Sequence, residues 1–242
     1  MIGYYLYNVY DSYGHRGGFY YDSTIYLLLI GVVITLFASA RVKSTFHKYS
    51  KVRSMSGMTG AEVASRILRS AGIYDVTVEH TKGKLTDHYD PKNKVLRLSD
   101  DVYENSSVAA LGVAAHECGH AIQHQEGYAP LTARSAIFPV ASFGSKFAWL
   151  MIIAGCFFGW VWIQAGIILF AAAVLFQIVT LPVEFNASSR AIAILDNSGI
   201  LAQDELHGAK KVLRAAGFTY VAAAAATVLQ LIRLILIFGR RR

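Results

Sequence analysis

The sequence predicts a mainly α, integral membrane protein with about four transmembrane helices and a water-exposed part that carries a small β-sheet. Three observations carry that expectation. The chain of 242 residues is 54% hydrophobic and only 16% charged, well under the roughly 25% charged of a typical soluble domain. The deficit is concentrated: Phe147 to Val183 holds 37 residues without an Asp, Glu, Lys or Arg. Two further runs, Ser23 to Ala40 and Ala216 to Gln230, are equally free of charge. A bilayer crossing needs about 20 apolar helical residues.

Taken in order, residues 1–22 are rich in Tyr and Gly and read as an extramembrane tail. A first transmembrane helix is expected over 23–41, retained rather than cleaved, because no basic segment precedes it. Arg41, Lys43, Lys48, Lys51 and Arg53 follow it, which places the next segment in the cytoplasm. The net charge of +7 is thereby assigned to topology and anionic lipid headgroups, and a nucleic-acid partner is not expected. Cys118 and Cys156 are the only cysteines, one inside a motif and one inside a span, so no disulfide is expected.

Residues 42–146 read as water-exposed. Thr59-Gly60-Ala61-Glu62 is a capping-box signature, and the helix that it opens should stop near Gly72. A strand is expected at 76–78. After the Asp90-Pro91-Lys92-Asn93 turn, Lys94 to Leu98 reads as an exposed strand. Ser106 or Ser107 caps a long helix to about Gln125, with Gly127 as its stop. A helical hairpin follows over 147–181, turning at Gly159 between aromatic residues that favour the headgroup layer. Residues 182–217 return to the water-exposed part, and a last span is expected over 218–239. Four crossings would leave Arg240 to Arg242 outside, against the positive-inside tendency.

The long helix holds the chemistry. In Val-Ala-Ala-His116-Glu117-Cys118-Gly119-His120 two histidines stand four apart, on one helix face. They can offer imidazole nitrogens to one ion. Glu117, rotated about 100° from His116, suits contact with a water held by the ion. Zinc makes hydroxide available near neutral pH. The alternative is that the histidines are polar residues satisfied in a core. A catalytic zinc also needs a third protein ligand. His124 would lie about 12 Å along the axis from His116, too far to share the ion. Glu184 stands out as the first ionisable group after the uncharged run, just past Pro182; Glu205, Glu126, Asp100 and Asp101 trail it.

These residues are similar to those of a known family, the YugP-type neutral zinc metallopeptidases of bacterial membranes, distant relatives of the CAAX-prenyl and HtpX-type membrane proteases. The resemblance covers nearly everything after residue 24. It rests on ASARVKSTFHKYSKV, MTGAEVASRIL, LTDHYDPKNKVLRLS, VAAHECGHAIQHQEGYAPL, PVEFNASSRAIAIL and AKKVLRAAGFTYVAAA. It implies a zincin-like catalytic domain split by the hairpin. It implies one Zn2+ per chain on His116, His120 and Glu184, with Glu117 as the general base. His88 and Arg190 become candidates to stabilise the oxyanion. The strand 94–98 becomes the edge on which an extended peptide pairs. One departure concerns the carboxylate that usually orients a zinc histidine four residues after the ligand glutamate. Ser188 stands there, leaving Asn186, Ser188 or Asp196 for the part.

The expected function is a membrane-anchored zinc endopeptidase of the HExxH gluzincin type, acting on peptide or membrane-protein substrates at the cytoplasmic face of a multi-pass cell-membrane protein. An intramembrane protease is disfavoured because Asp100, Asp101 and Glu104 crowd the start of the motif helix. An inactive scaffold or metal-binding regulator is the alternative, against which the intact Glu117 argues.

Overall fold

The computed structural model describes residues 23–239. The tail expected over 1–22 and Arg240 to Arg242 lie outside the described residues. Six helices and a three-stranded sheet follow one another as α1 (Ile25–Tyr49), α2 (Gly60–Ser70), β1 (Thr77–His80), β2 (His88–Asp90), β3 (Val95–Leu98), α3 (Val108–Gln125), α4 (Ala129–Phe158), α5 (Trp160–Asn197) and α6 (Gln203–Gly239). Among the described residues, α1, α4, α5 and α6 are the four helices long and apolar enough to cross a membrane.

Two compact units share these helices. One holds residues 23–34, Ile137–Phe176 and 224–239; the other holds Thr35–Ala136 and Gln177–Ala223.

In the first unit, α4 and α5 form the expected hairpin, broken at Gly159, whose φ of +102° suits a residue without a Cβ. Small residues let the arms approach closely. A Cβ on Gly144 would lie 2.5 Å from the Leu169 carbonyl oxygen, and one on Gly166 2.7 Å from that of Ala148. Large apolar side chains such as Val33, Phe157, Phe158 and Ile168 are exposed here, as a lipid-facing surface requires.

In the second unit, the capping box forms as expected. Thr59 Oγ1 accepts from the Glu62 amide and Glu62 Oε2 accepts from the Thr59 amide, at 3.3 and 2.8 Å. The helix buries Val63, Ala64, Ile67 and Leu68 on one face, and Gly72 ends it with a φ of +72°. The sheet runs in the order β1-β3-β2, with β1 parallel and β2 antiparallel to β3. The expectation that 94–98 forms an exposed edge is therefore corrected. Val95, Leu96 and Leu98 are buried and both sides of β3 are paired. The paired strand went unseen because β2 is only His-Tyr-Asp, polar enough to read as part of the turn. Among the described residues, the free edges belong to β1 and β2. Leu96, Leu98, Leu111, Leu195 and Leu213 join one core with the buried face of α2.

Three helices are longer than the sequence suggests. Helix α5 continues through Pro182 to Asn197, and α6 runs unbroken through Gly217. Gly217 is a packing notch rather than a breaker: a Cβ there would lie 3.2 Å from the Phe185 ring. Helix α4 starts at Ala129, directly after the motif helix, instead of at 147.

Candidate metal centre

The motif helix α3 begins at Ser107, whose hydroxyl accepts from the Ala110 amide at 3.2 Å. It ends in a Schellman arrangement: Gly127, at φ +63°, donates its amide to the His124 carbonyl, and Tyr128 donates to that of Gln123. Between these caps, His116 and His120 project from successive turns with ring centroids 4.8 Å apart. Helix α5 supplies Glu184, buried to 3% exposure. Its Oε2 lies 3.3 Å from His116 Nε2 and 3.6 Å from His120 Nε2. Gly119 makes this approach possible, since a Cβ there would stand 2.7 Å from the Ala187 carbonyl oxygen of α5.

These three residues fit a zinc ion on two independent grounds. Tetrahedral bonds of about 2.0–2.1 Å give ligand-to-ligand edges of about 3.3–3.4 Å, close to the two observed separations. Glu184 Oε2 is also buried without a hydrogen-bond partner, a costly state for a carboxylate oxygen unless a cation faces it. The electrostatics agree. Burial alone would raise the Glu184 carboxyl, but the two imidazoles facing it hold it well below the usual carboxylate range. Burial would lower the His120 imidazole, yet Glu184, Glu117 and Gln123 together raise it above the ordinary histidine value. The two glutamates thus favour positive charge at this point of the pocket.

Glu117 is buried beside His116 and is not one of the converging ligand atoms. The other glutamate Oε1 of the centre faces Arg134 of α4, whose Nη1 lies 3.5 Å away. Tyr220 of α6 lies near both Glu184 and Glu117. Ser188 takes the place of the missing carboxylate, its Oγ 3.1 Å from His116 Nδ1. Gln123, wholly buried, puts Oε1 3.0 Å from His120 Nδ1. Its Nε2 donates to the Val183 carbonyl and to Asn186 Oδ1, at 2.8 and 2.9 Å.

Of the other residues singled out in the sequence, His88 lies on β2 with Nδ1 2.8 Å from the Thr86 carbonyl oxygen. Arg190 grips both Glu126 oxygens, at 2.9 and 2.6 Å, and donates Nε to Asn186 Oδ1 at 2.7 Å. Asp196 accepts from Gln203, His124 meets the Tyr89 hydroxyl, and Asp100 pairs with His80. Glu205 caps α6, accepting from the amides of Met55 and Ala202. Gln123, Arg134 and Tyr220 are absent from the sequence-based set. Gln123 could have been found, since it follows His120 by three residues on one helix. Tyr220 comes from a helix distant in sequence and Arg134 from the helix next to the motif; neither leaves a local signal.

A His-His-Glu cluster of this geometry defines a candidate metal site, and sequence comparison gives the class of protein that carries it. The family described as "Putative neutral zinc metallopeptidase" matches residues 24–239, and the chain belongs to it. The chain is also 51% identical over 215 residues to the protein named "Putative membrane protease YugP" of Bacillus subtilis (strain 168), covering 88% of this chain and 96% of that protein. No solved structure matches the chain significantly.

Proposed function

We propose that the protein is a zinc-dependent endopeptidase of the HExxH gluzincin type, holding one Zn2+ through His116, His120 and Glu184. The observation that carries this reading is the orphaned, buried Glu184 Oε2 set between two imidazole nitrogens at 3.3 and 3.6 Å. When bound, zinc polarises a carbonyl and brings the pKa of water toward neutrality.

The chain's own residues do the rest. Glu117, one position from a ligand and buried, takes the proton of the attacking water and returns it to the leaving amine nitrogen. The oxyanion role expected of His88 and Arg190 passes in this reading to Arg134, whose Nη1 reaches the Glu184 carboxylate at 3.5 Å. The substrate strand pairs with the outer edge of β2, which lies beside α3 through the Tyr89–His124 contact, now that β3 is enclosed. The basic residues after α1 support a site on the cytoplasmic side of a multi-pass cell-membrane protein. The substrates are peptides or membrane proteins met there.

Two measurements on detergent-purified protein test this. Metal analysis should find about one zinc per chain in the wild type and far less in Glu184→Ala. Labelled casein should be cleaved by the wild type and not by Glu117→Gln, which should keep its zinc. Equal zinc in Glu184→Ala would move the third ligand elsewhere. An inactive wild type with full zinc would favour a metal-binding scaffold.

A further inference from the structure

The hydrogen bonds behind His120 have a direction that can be worked out from groups whose roles are fixed. The carbonyl of Val183 can only accept, so the Gln123 atom 2.8 Å from it must be the amide nitrogen. An arginine can only donate, so the Asn186 atom 2.7 Å from Arg190 Nε must be its carbonyl oxygen. That same oxygen lies 2.9 Å from Gln123, which again requires the Gln123 nitrogen on that side. Two independent obligate partners therefore turn Gln123 Oε1 toward His120 Nδ1, 3.0 Å away. An oxygen there can only accept, so the neutral imidazole carries its proton on Nδ1 and leaves the Nε2 lone pair for a metal.

We infer that Gln123, Asn186 and Arg190 form a relay of positioning residues that fixes the tautomer of His120 for metal binding, with Glu126 holding its far end. The inference rests on the zinc reading above and extends it to residues that touch neither metal nor substrate. The two histidines differ in this respect. Ser188 beside His116 is a hydroxyl, able to donate or accept, and imposes no tautomer. The Gln123 amide is wholly buried with every contact used, so it has no other orientation that keeps its partners. Arg190 in turn has its guanidinium clamped by both Glu126 oxygens and lies 6.0 Å from the centroid of the Tyr128 ring. The Schellman turn at Gly127 places Glu126 and Tyr128 on either side of it.

The test is zinc affinity of the full chain in detergent, measured by competition with a chromophoric chelator, together with the visible spectrum of the cobalt-substituted protein. Gln123→Met keeps the volume and removes the acceptor; it should weaken zinc on the order of 10- to 100-fold and alter the cobalt bands. Asn186→Asp, which keeps an acceptor for both Arg190 and Gln123, should stay within about threefold of wild type, while Asn186→Leu should weaken zinc by about tenfold. The thermal midpoint of each metal-free variant is recorded alongside. Wild-type affinity and an unchanged cobalt spectrum in Gln123→Met would overturn the relay and leave the zinc reading standing. Equal losses in Asn186→Asp and Asn186→Leu would overturn it too, because packing would then be the cause. A wild type that takes up no zinc would overturn both.

Discussion

Replacing Gly119 by alanine should loosen the metal centre more than it destabilises the protein. A Cβ at this position would stand 2.7 Å from the Ala187 carbonyl oxygen and 3.1 Å from its Cα, where ordinary contact begins at 3.4 Å. Those are backbone atoms of α5, so no side chain can swing aside, and the two helices must separate locally by about 0.7 Å. Glu184 lies less than a turn from Ala187, and His120 is the neighbour of Gly119. Most of the displacement therefore falls on the separations of 3.3 and 3.6 Å between Glu184 and the imidazoles. Zinc tolerates about 0.2 Å in its bonds, so binding must force the helices back together. Overpacking of this kind costs about 1–3 kcal/mol, which corresponds to zinc held roughly 5- to 150-fold more weakly. In the metal-free protein the helices can stay apart, and alanine regains about 0.5–1 kcal/mol over glycine within a helix. Chelator-competition titration and thermal unfolding with and without a chelator would separate the two effects. Unchanged zinc affinity in Gly119→Ala would refute the reasoning.

Two further outcomes follow from the same geometry. Zinc binding should weaken as pH falls, because an imidazole must lose its proton to act as a ligand and His120 holds its proton above the ordinary histidine range. Calorimetry in buffers of different ionisation enthalpy should detect proton release, and an affinity flat between about pH 6 and 8 would contradict it. Ser188→Ala, which removes the partner of His116 Nδ1, should weaken zinc by about tenfold, whereas Ser188→Asp should bind at least as tightly as wild type. Equal zinc affinity in Ser188→Ala and wild type would deny Ser188 an orienting part.

Much of this was legible in the residues, and the gaps have physical causes. Charge-free runs and caps are local signals, so α1, the Thr59 box, the Ser107 cap, the Gly127 stop and the Gly159 turn were all readable. The pairing of His116 with His120 follows from helical spacing alone. Glu184 was readable only as an isolated charge after a greasy run; its meeting with them depends on a helix crossing made possible by Gly119. Strand β2 was hidden because three polar-leaning residues carry no alternation, and its absence turned β3 into an edge. The continuity of α5 through Pro182 was hidden because tertiary contacts outweigh the local cost of a helical proline. Tyr220 is brought in by a helix remote in sequence and Arg134 by a turn of the chain after the motif helix, which no spacing rule can report.

The order of the ligands along the chain has a consequence for biogenesis. Both histidines leave the ribosome before the α4–α5 hairpin does, and Glu184 leaves late in its second arm. A nascent chain therefore carries only an imidazole pair, open to water and lacking its third donor, through most of the synthesis of the hairpin. The three donors can meet only once that arm has been made, so a growing polypeptide of this kind lacks the full His-His-Glu set until late in its synthesis.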